Sequence, residues 1–260
     1  MLGLCGFMAS AQNTGDFTIP FSDPAKPGTV IVDIKTGSIT VKGTARKDVS
    51  VTYSREGYDD GDRKDKTSKD GLRRIGGGAL DIEGSEYQNT IRVKADNWSG
   101  ELNLVIEVPA NINLKAKAYN DGDVNVSNIN GDVELTNYNG NITGLAISGT
   151  AIAQTYNGDI KIVFDNLKGD APLSYANYNG DIDVTFPASM KGTFKMKTTQ
   201  GEIYTGFDAT VQKANPVQKT DTKSGAKKIV IDDWVIANVN GGGPEITMKS
   251  YNGDIYVRKK

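Results

Sequence analysis

Histidine is absent from all 260 residues, and a single cysteine, Cys5, lies within the first dozen. Proline is scarce at 8, against 30 glycines. The opening segment, MLGLCGFMASAQ, is apolar and uncharged and ends in Ala9-Ser10-Ala11, a small-x-small pattern that suits signal-peptidase cleavage before Gln12. The basic stretch that normally precedes such a leader is missing, so the true start is expected upstream of Met1. Residues 1–11 are therefore read as a leader, with a buried N-terminal strand and a lipid anchor on Cys5 as alternatives. Bulky Leu4 speaks against the anchor, since lipoprotein signals carry a small residue there. Removal of residues 1–11 leaves neither Cys nor His, which excludes disulfides, thiol nucleophiles, His-based triads and the common zinc sites from the mature chain. No cofactor and no metal site are expected.

Charge of one sign is also missing. Thirty Lys and Arg stand against 32 Asp and Glu, a net charge of −2. That balance offers no electrostatic attraction for nucleic acid or an anionic membrane. Nor does any segment past the leader approach the ~18 apolar residues of a membrane span. The reading that follows is an exported protein of the periplasm or cell surface.

What is present is repetition. Gly122, Gly131, Gly140, Gly149 and Gly158 fall nine residues apart, and the series continues through Gly169, Gly180, Gly192 and Gly201, with Gly253 after an interruption. A richer signature, Asn-Gly-Asp-Ile or a close variant, marks Gly140, Gly158, Gly180 and Gly253, and TQGEI stands at Gly201. After these turns apolar and polar residues alternate, as in Ile160-Lys161-Ile162 and Ile182-Asp183-Val184, the period of strands with one buried face. Repeats that each stack only on their neighbours build a solenoid. The expected fold is all-β: a single-domain parallel β-helix over residues 12–260, right-handed by the chirality of parallel crossovers, with two strands per 18–22-residue coil. Two polar stretches, 54–78 and 208–227, are expected to project as loops.

Glycine supplies the positive φ of a tight corner, and asparagine before it tolerates a left-handed backbone. Counting back from the glycines, Phe194/Met196/Thr198, Leu173/Tyr175/Asn177 and Ile246/Met248/Ser250 should face inward, with the small polar residue bonding the turn backbone. The same parity places Tyr138, Tyr156 and Tyr178 outside as a column. Tyr251 extends it if the coil carrying Thr199-Gln200 packs between, and Tyr119 lies near its start. This column, flanked by Asn139, Asn157, Asn179 and Asn252, is the candidate ligand-binding surface, for a glycan or a cell-surface or matrix protein. Stacked tyrosines can equally serve only to cover the turn.

The ordered turns, together with Val105-Ile106-Glu107-Val108-Pro109 ahead of them, resemble the bacterial "putative adhesin" family of β-helical extracytoplasmic proteins, from Gly28 to the C-terminus. The resemblance implies a parallel β-helix on an exported protein and supplies no catalytic residues. A non-enzymatic, adhesin-like or scaffolding role is the expectation, with self-association through open solenoid ends as a further possibility. Two alternatives stay open. Asp132, Asp159, Asp181 and Asp254 recur at one turn position and could form the carboxylate pairs of a polysaccharide-acting enzyme. The nine-residue spacing also resembles the calcium-binding β-roll, although the extra glycines of that turn are lacking.

Overall fold

A computed structural model describes residues 13–56, 68–69, 72–73, 82–96, 100–168, 171, 173–212, 216–220, 227–231 and 233–260. The leader, Cys5 and Trp98 lie outside the described residues. Among those described, all regular structure is β-strand.

Two sheets, of ten and eleven strands, carry the fold, and the chain alternates between them. From Ile112–Asn120 to Ile182–Phe186 the chain crosses between the sheets at Gly122, Gly131, Gly140, Gly149, Gly158 and Gly180, whereas Glu101–Pro109 crosses to Ile112–Asn120 through Ala110-Asn111. Ile142–Gly149, Ile160–Leu167 and Ile182–Phe186 pair in parallel on one sheet, with Ile142 opposite Ile160 and Ile160 opposite Ile182. Val133–Thr136, Ala151–Gln154 and Leu173–Ala176 do the same on the other. Equivalent turn residues are thereby brought into register, and identical side chains form ladders through the core. Val124, Ile142, Ile160, Ile182 and Ile255 are one such ladder, each fully buried. Burial of each isoleucine contributes roughly 1.5–3 kcal/mol. Across the core, Ala116, Leu135, Ala153, Tyr175 and Met248 follow one another in register, all buried.

The sheets are mixed rather than purely parallel, which corrects the expectation of a parallel helix throughout. Parallel pairing holds where the glycine turns recur. At one end Asn13–Pro20, Asp48–Glu56 and Glu101–Pro109 pair antiparallel, as do Ile82–Tyr87 and Thr90–Ala95. At the other, Val235–Val239 is antiparallel to both Gly192–Lys197 and Ala209–Gln212. Of these segments, Ile82–Tyr87 and Thr90–Ala95 follow one another without an Asn-Gly-Asp corner and turn back as a hairpin on one sheet. Gln88 and Asn89, at φ 49° and 60°, close one such hairpin in the two-residue turn that suits strand twist. Folding back pairs strand edges that a bare solenoid end would expose.

Coil order in space departs from coil order in sequence at both ends. Gly28–Thr36 is inserted between Thr90–Ala95 and Ile112–Asn120. Glu245–Lys249, near the C-terminus, is inserted between Leu173–Ala176 and Gly192–Lys197. The coil carrying Thr199-Gln200 therefore packs outside the coil of Tyr251, not between Tyr178 and Tyr251. Its TQGEI turn lacks the tyrosine and asparagine that continue the stacks, which suits it to the end. The stretch 208–227, expected as a loop, holds Ala209–Gln212 and part of a hairpin, Pro216–Thr220 with Lys227–Ile231. The stretch 54–78 includes the short pair Ser68–Lys69 and Leu72–Arg73.

Candidate functional site

The turns at Gly140, Gly158, Gly180 and Gly253 are built from positions with different tasks, and the TQGEI turn at Gly201 follows them in part. The residue three before the glycine points in and bonds a turn carbonyl. Asn137 Nδ2 donates to Gly122 O at 2.9 Å, Thr155 Oγ1 to Gly140 O at 3.0 Å, Asn177 Nδ2 to Gly180 O at 2.6 Å and Thr198 Oγ1 to Gly253 O at 2.8 Å. The glycines combine positive φ with close approach between coils. Gly180 lies at φ 113°, and a Cβ there would sit 2.4 Å from Gly158 O.

The asparagine before the glycine does something the sequence reading did not anticipate. None of Asn139, Asn157, Asn179 or Asn252 is left-handed. Their side-chain amides instead form a continuous ladder. Asn139 Nδ2 donates to Asn120 Oδ1 at 2.9 Å, Asn157 to Asn139 at 2.8 Å, Asn179 to Asn157 and Asn252 to Asn179 at 2.7 Å each. Repeated asparagines stacked at the strand spacing satisfy one another. The ladder stops at Asn252, whose Oδ1 is buried without a partner, because the next coil offers Gln200 in that register. The candidate asparagines thus bond one another along the stack.

After the glycine, the acidic residue bonds the next turn's backbone. Asp159 Oδ1 accepts from Asp181 N, Asp181 Oδ1 from Asp254 N and Asp254 Oδ1 from Glu202 N, each at 2.8 Å. Asp132, by contrast, accepts from Thr150 Oγ1 at 2.6 Å. Asp254 also accepts from the Tyr256 hydroxyl at 2.9 Å, which pushes the phenol pKa up to about 12. Among the described residues no group of three or more acidic or sulfur ligands is placed to hold a metal ion.

The tyrosines are brought together and left exposed. Tyr138 and Tyr156 stack with centroids 5.1 Å apart, Tyr156 and Tyr178 at 4.8 Å, and Tyr178 and Tyr251 at 4.6 Å, all within 7° of parallel. Each is between 38% and 51% exposed. Interior rings spend both faces on their neighbours, so the column presents ring edges and hydroxyls. Among the described residues none of the four hydroxyls has a hydrogen-bond partner. A shallow groove of about 310 Å³ runs beside the first three rings, floored by Thr136, Gln154 and Ala176. At the column's start Tyr119 lies under two ammonium groups, Lys35 at 4.5 Å and Lys117 at 4.6 Å.

A family model described as Toastrack DUF4097 matches residues 8–233. The chain belongs to the Toastrack DUF4097 family. Among solved structures, a "putative cell adhesion protein" from Clostridium sporogenes ATCC 15579 aligns with this Toastrack chain at 11% identity and a TM-score of 0.47, over 95% of this chain and 100% of the other. A "putative adhesin" from Bacteroides fragilis NCTC 9343 aligns at 13% identity and a TM-score of 0.41, over 97% and 98%. No curated protein matches in sequence. Among the described residues no helix is long and apolar enough to cross a membrane.

Sequence reasoning overlooked a second stack. Tyr204 and Tyr256, in neighbouring strands of the ten-stranded sheet, lie 5.2 Å apart and 9° from parallel. Its signal was legible, since Gly-x-Ile-Tyr occurs at both Gly201 and Gly253 and in no other turn.

Proposed function

We propose that this is an exported, non-enzymatic surface or envelope protein that binds in adhesin-like fashion through its tyrosine column. The observation that carries the reading is the division of labour in the turn. Asparagines, and the aspartates that follow the tyrosine turns, are used up in holding coils together, whereas four stacked tyrosines stand in solvent with their hydroxyls free. Exposed aromatic surface of this kind, repeated along a rigid support, makes many weak contacts act together. The partner is a glycan or a cell-surface or matrix protein lying along the groove. Export rests on the leader-like residues 1–11. The winding is right-handed by the same chirality preference, with coils of 18 or 22 residues between register partners such as Ile142, Ile160 and Ile182.

A carboxylate enzyme and a calcium roll both need turn acids free to act. Asp159, Asp181 and Asp254 each commit an oxygen to a neighbouring turn amide, which favours the binding reading. The test is binding of purified residues 12–260 to a panel of glycans, peptidoglycan and matrix proteins, beside the Tyr138/Tyr156/Tyr178→Ala variant. Saturable binding that is lost in a variant with unchanged circular dichroism is expected. Equal binding by both proteins, or none by either, removes the column as the site.

A further inference from the structure

The groove beside the column is floored by Thr136, Gln154 and Ala176, which are register partners on successive strands of the eleven-stranded sheet. The same register runs on to Lys117 at one end and to Lys249 and then Lys197 at the other. Parity sets these side chains on one face. Lys117 lies between buried Ala116 and Ala118, Gln154 between buried Ala153 and Thr155, and Lys249 between buried Met248 and Ser250. The outer face they share is the one from which Tyr138, Tyr156, Tyr178 and Tyr251 project, two residues further along the chain. From Lys117 to Lys197 the strip holds lysines at both ends and no acid between them.

The charge at each end is left in surplus. Beyond Lys117 the register brings Asp33, which Lys35 holds at 3.4 Å, and Lys94 holds neighbouring Asp96 at 2.5 Å. Lys117 itself lies 4.6 Å from the Tyr119 ring centre, at the head of the column. At the far end Asp233 is taken by Lys197. Among the described residues neither Lys117 nor Lys249 has a carboxylate within ion-pair distance. Four strand spacings separate the two lysines, about 19 Å.

We propose that the ligand of the column is a linear acidic glycan, whose carboxylates meet Lys117 and Lys249 and whose hydroxyls bond the tyrosine hydroxyls, Thr136 and Gln154 between them. This rests on the column being the binding surface. Two cations set apart on one rigid face favour a chain long enough to engage both at once. Single-stranded nucleic acid, the other extended polyanion, is held by stacking its bases on open aromatic faces. Here the faces between neighbouring rings are closed at 4.6–5.1 Å, which leaves ring edges and hydroxyls for a hydroxyl-rich ligand.

The experiment is a calorimetric titration of purified residues 12–260 with hexagalacturonate, beside neutral maltohexaose, monomeric galacturonate and oligothymidylate. Lys117→Gln, Lys249→Gln and Tyr138/Tyr156/Tyr178→Phe are run in parallel, with circular dichroism checking the fold. Saturable hexagalacturonate binding is expected, weakened by added salt and about fivefold weaker or more in each lysine variant. The other three probes should bind at least about tenfold more weakly, the monomer because its one carboxylate engages one lysine. Absence of hexagalacturonate binding, unchanged affinity in both lysine variants, or equal affinity for oligothymidylate overturns the proposal. Maltohexaose binding as tight as that of hexagalacturonate, and lost in the tyrosine variant, overturns the acidic ligand and keeps the column as the site. Hexagalacturonate affinity unchanged in the tyrosine variant contradicts the column itself, and the proposal falls with it.

Discussion

Tyr175 lies between Ala153 and Met248 in the core register, fully buried, with no partner for its hydroxyl. Burial alone pushes its phenol pKa well up. An orphaned buried hydroxyl costs stability, so Tyr175→Phe should raise the unfolding free energy by about 1 kcal/mol, read from urea melts. Tyr256 is the opposite case, an exposed phenol held by Asp254, with its pKa raised from 10.0 to about 12. Because the folded value exceeds the unfolded one, its contribution is fully present below pH 10 and is lost as the pH rises toward about 12. The stability difference between the native chain and Tyr256→Phe should therefore shrink across that interval and stay constant below it. At this scale the sequence was informative about parity: Tyr138, Tyr156 and Tyr178 were read as outward, and Asn177 and Ser250 as inward corner residues. It could not show why asparagine precedes the glycine. Backbone tolerance and a side-chain ladder leave the same letter at the same place, and only the register between coils separates them.

At the scale of the element, the turn is held by three parallel systems: the corner bonds, the asparagine ladder and the acid-to-amide ladder. The amide ladder is the easiest to break. Asn157→Ala removes the donor to Asn139 and the acceptor for Asn179 together, leaving two part-buried groups unpaired. A loss of roughly 1–3 kcal/mol is expected from equilibrium unfolding, with Asn157→Asp failing to restore it because a carboxylate cannot donate. Strands such as Gly28–Thr36 and Glu101–Pro109 could be recognised from alternation alone. The direction of their pairing could not. Alternation fixes which face is buried, while parallel or antiparallel pairing depends on whether the connection crosses to the facing sheet or doubles back, as at Gln88-Asn89.

At the scale of the whole molecule, the chain closes its own stack out of order. Among the described residues Gly192–Lys197 has its parallel neighbour only in Glu245–Lys249, which comes late in the sequence. Removing residues 245–260 should therefore expose more than the deleted coil. Backbone amides of Gly192–Lys197 and Val235–Val239 should lose hydrogen-exchange protection, while Ile142–Gly149 keeps its own. Retained protection in Gly192–Lys197 would mean that this coil docks directly on Leu173–Ala176. This interleaving was invisible in the repeat spacing, because a coil's place in the stack is set by which turn ladder it can continue. Tyr251, Asn252 and Asp254 continue all three ladders of Tyr178, Asn179 and Asp181, and Thr199-Gln200 does not.

On the proposed reading the column meets its partner through hydroxyls and ring edges, its faces being spent on stacking. Tyr138/Tyr156/Tyr178→Phe keeps the rings and removes only the hydroxyls. Its affinity for peptidoglycan and for each glycan or matrix protein that the native chain binds is the most direct measurement. With an unchanged thermal midpoint, a loss of about tenfold or more is expected, since three hydroxyl bonds at roughly 0.5–1.5 kcal/mol each disappear. Affinity equal to that of the native chain would contradict the claim.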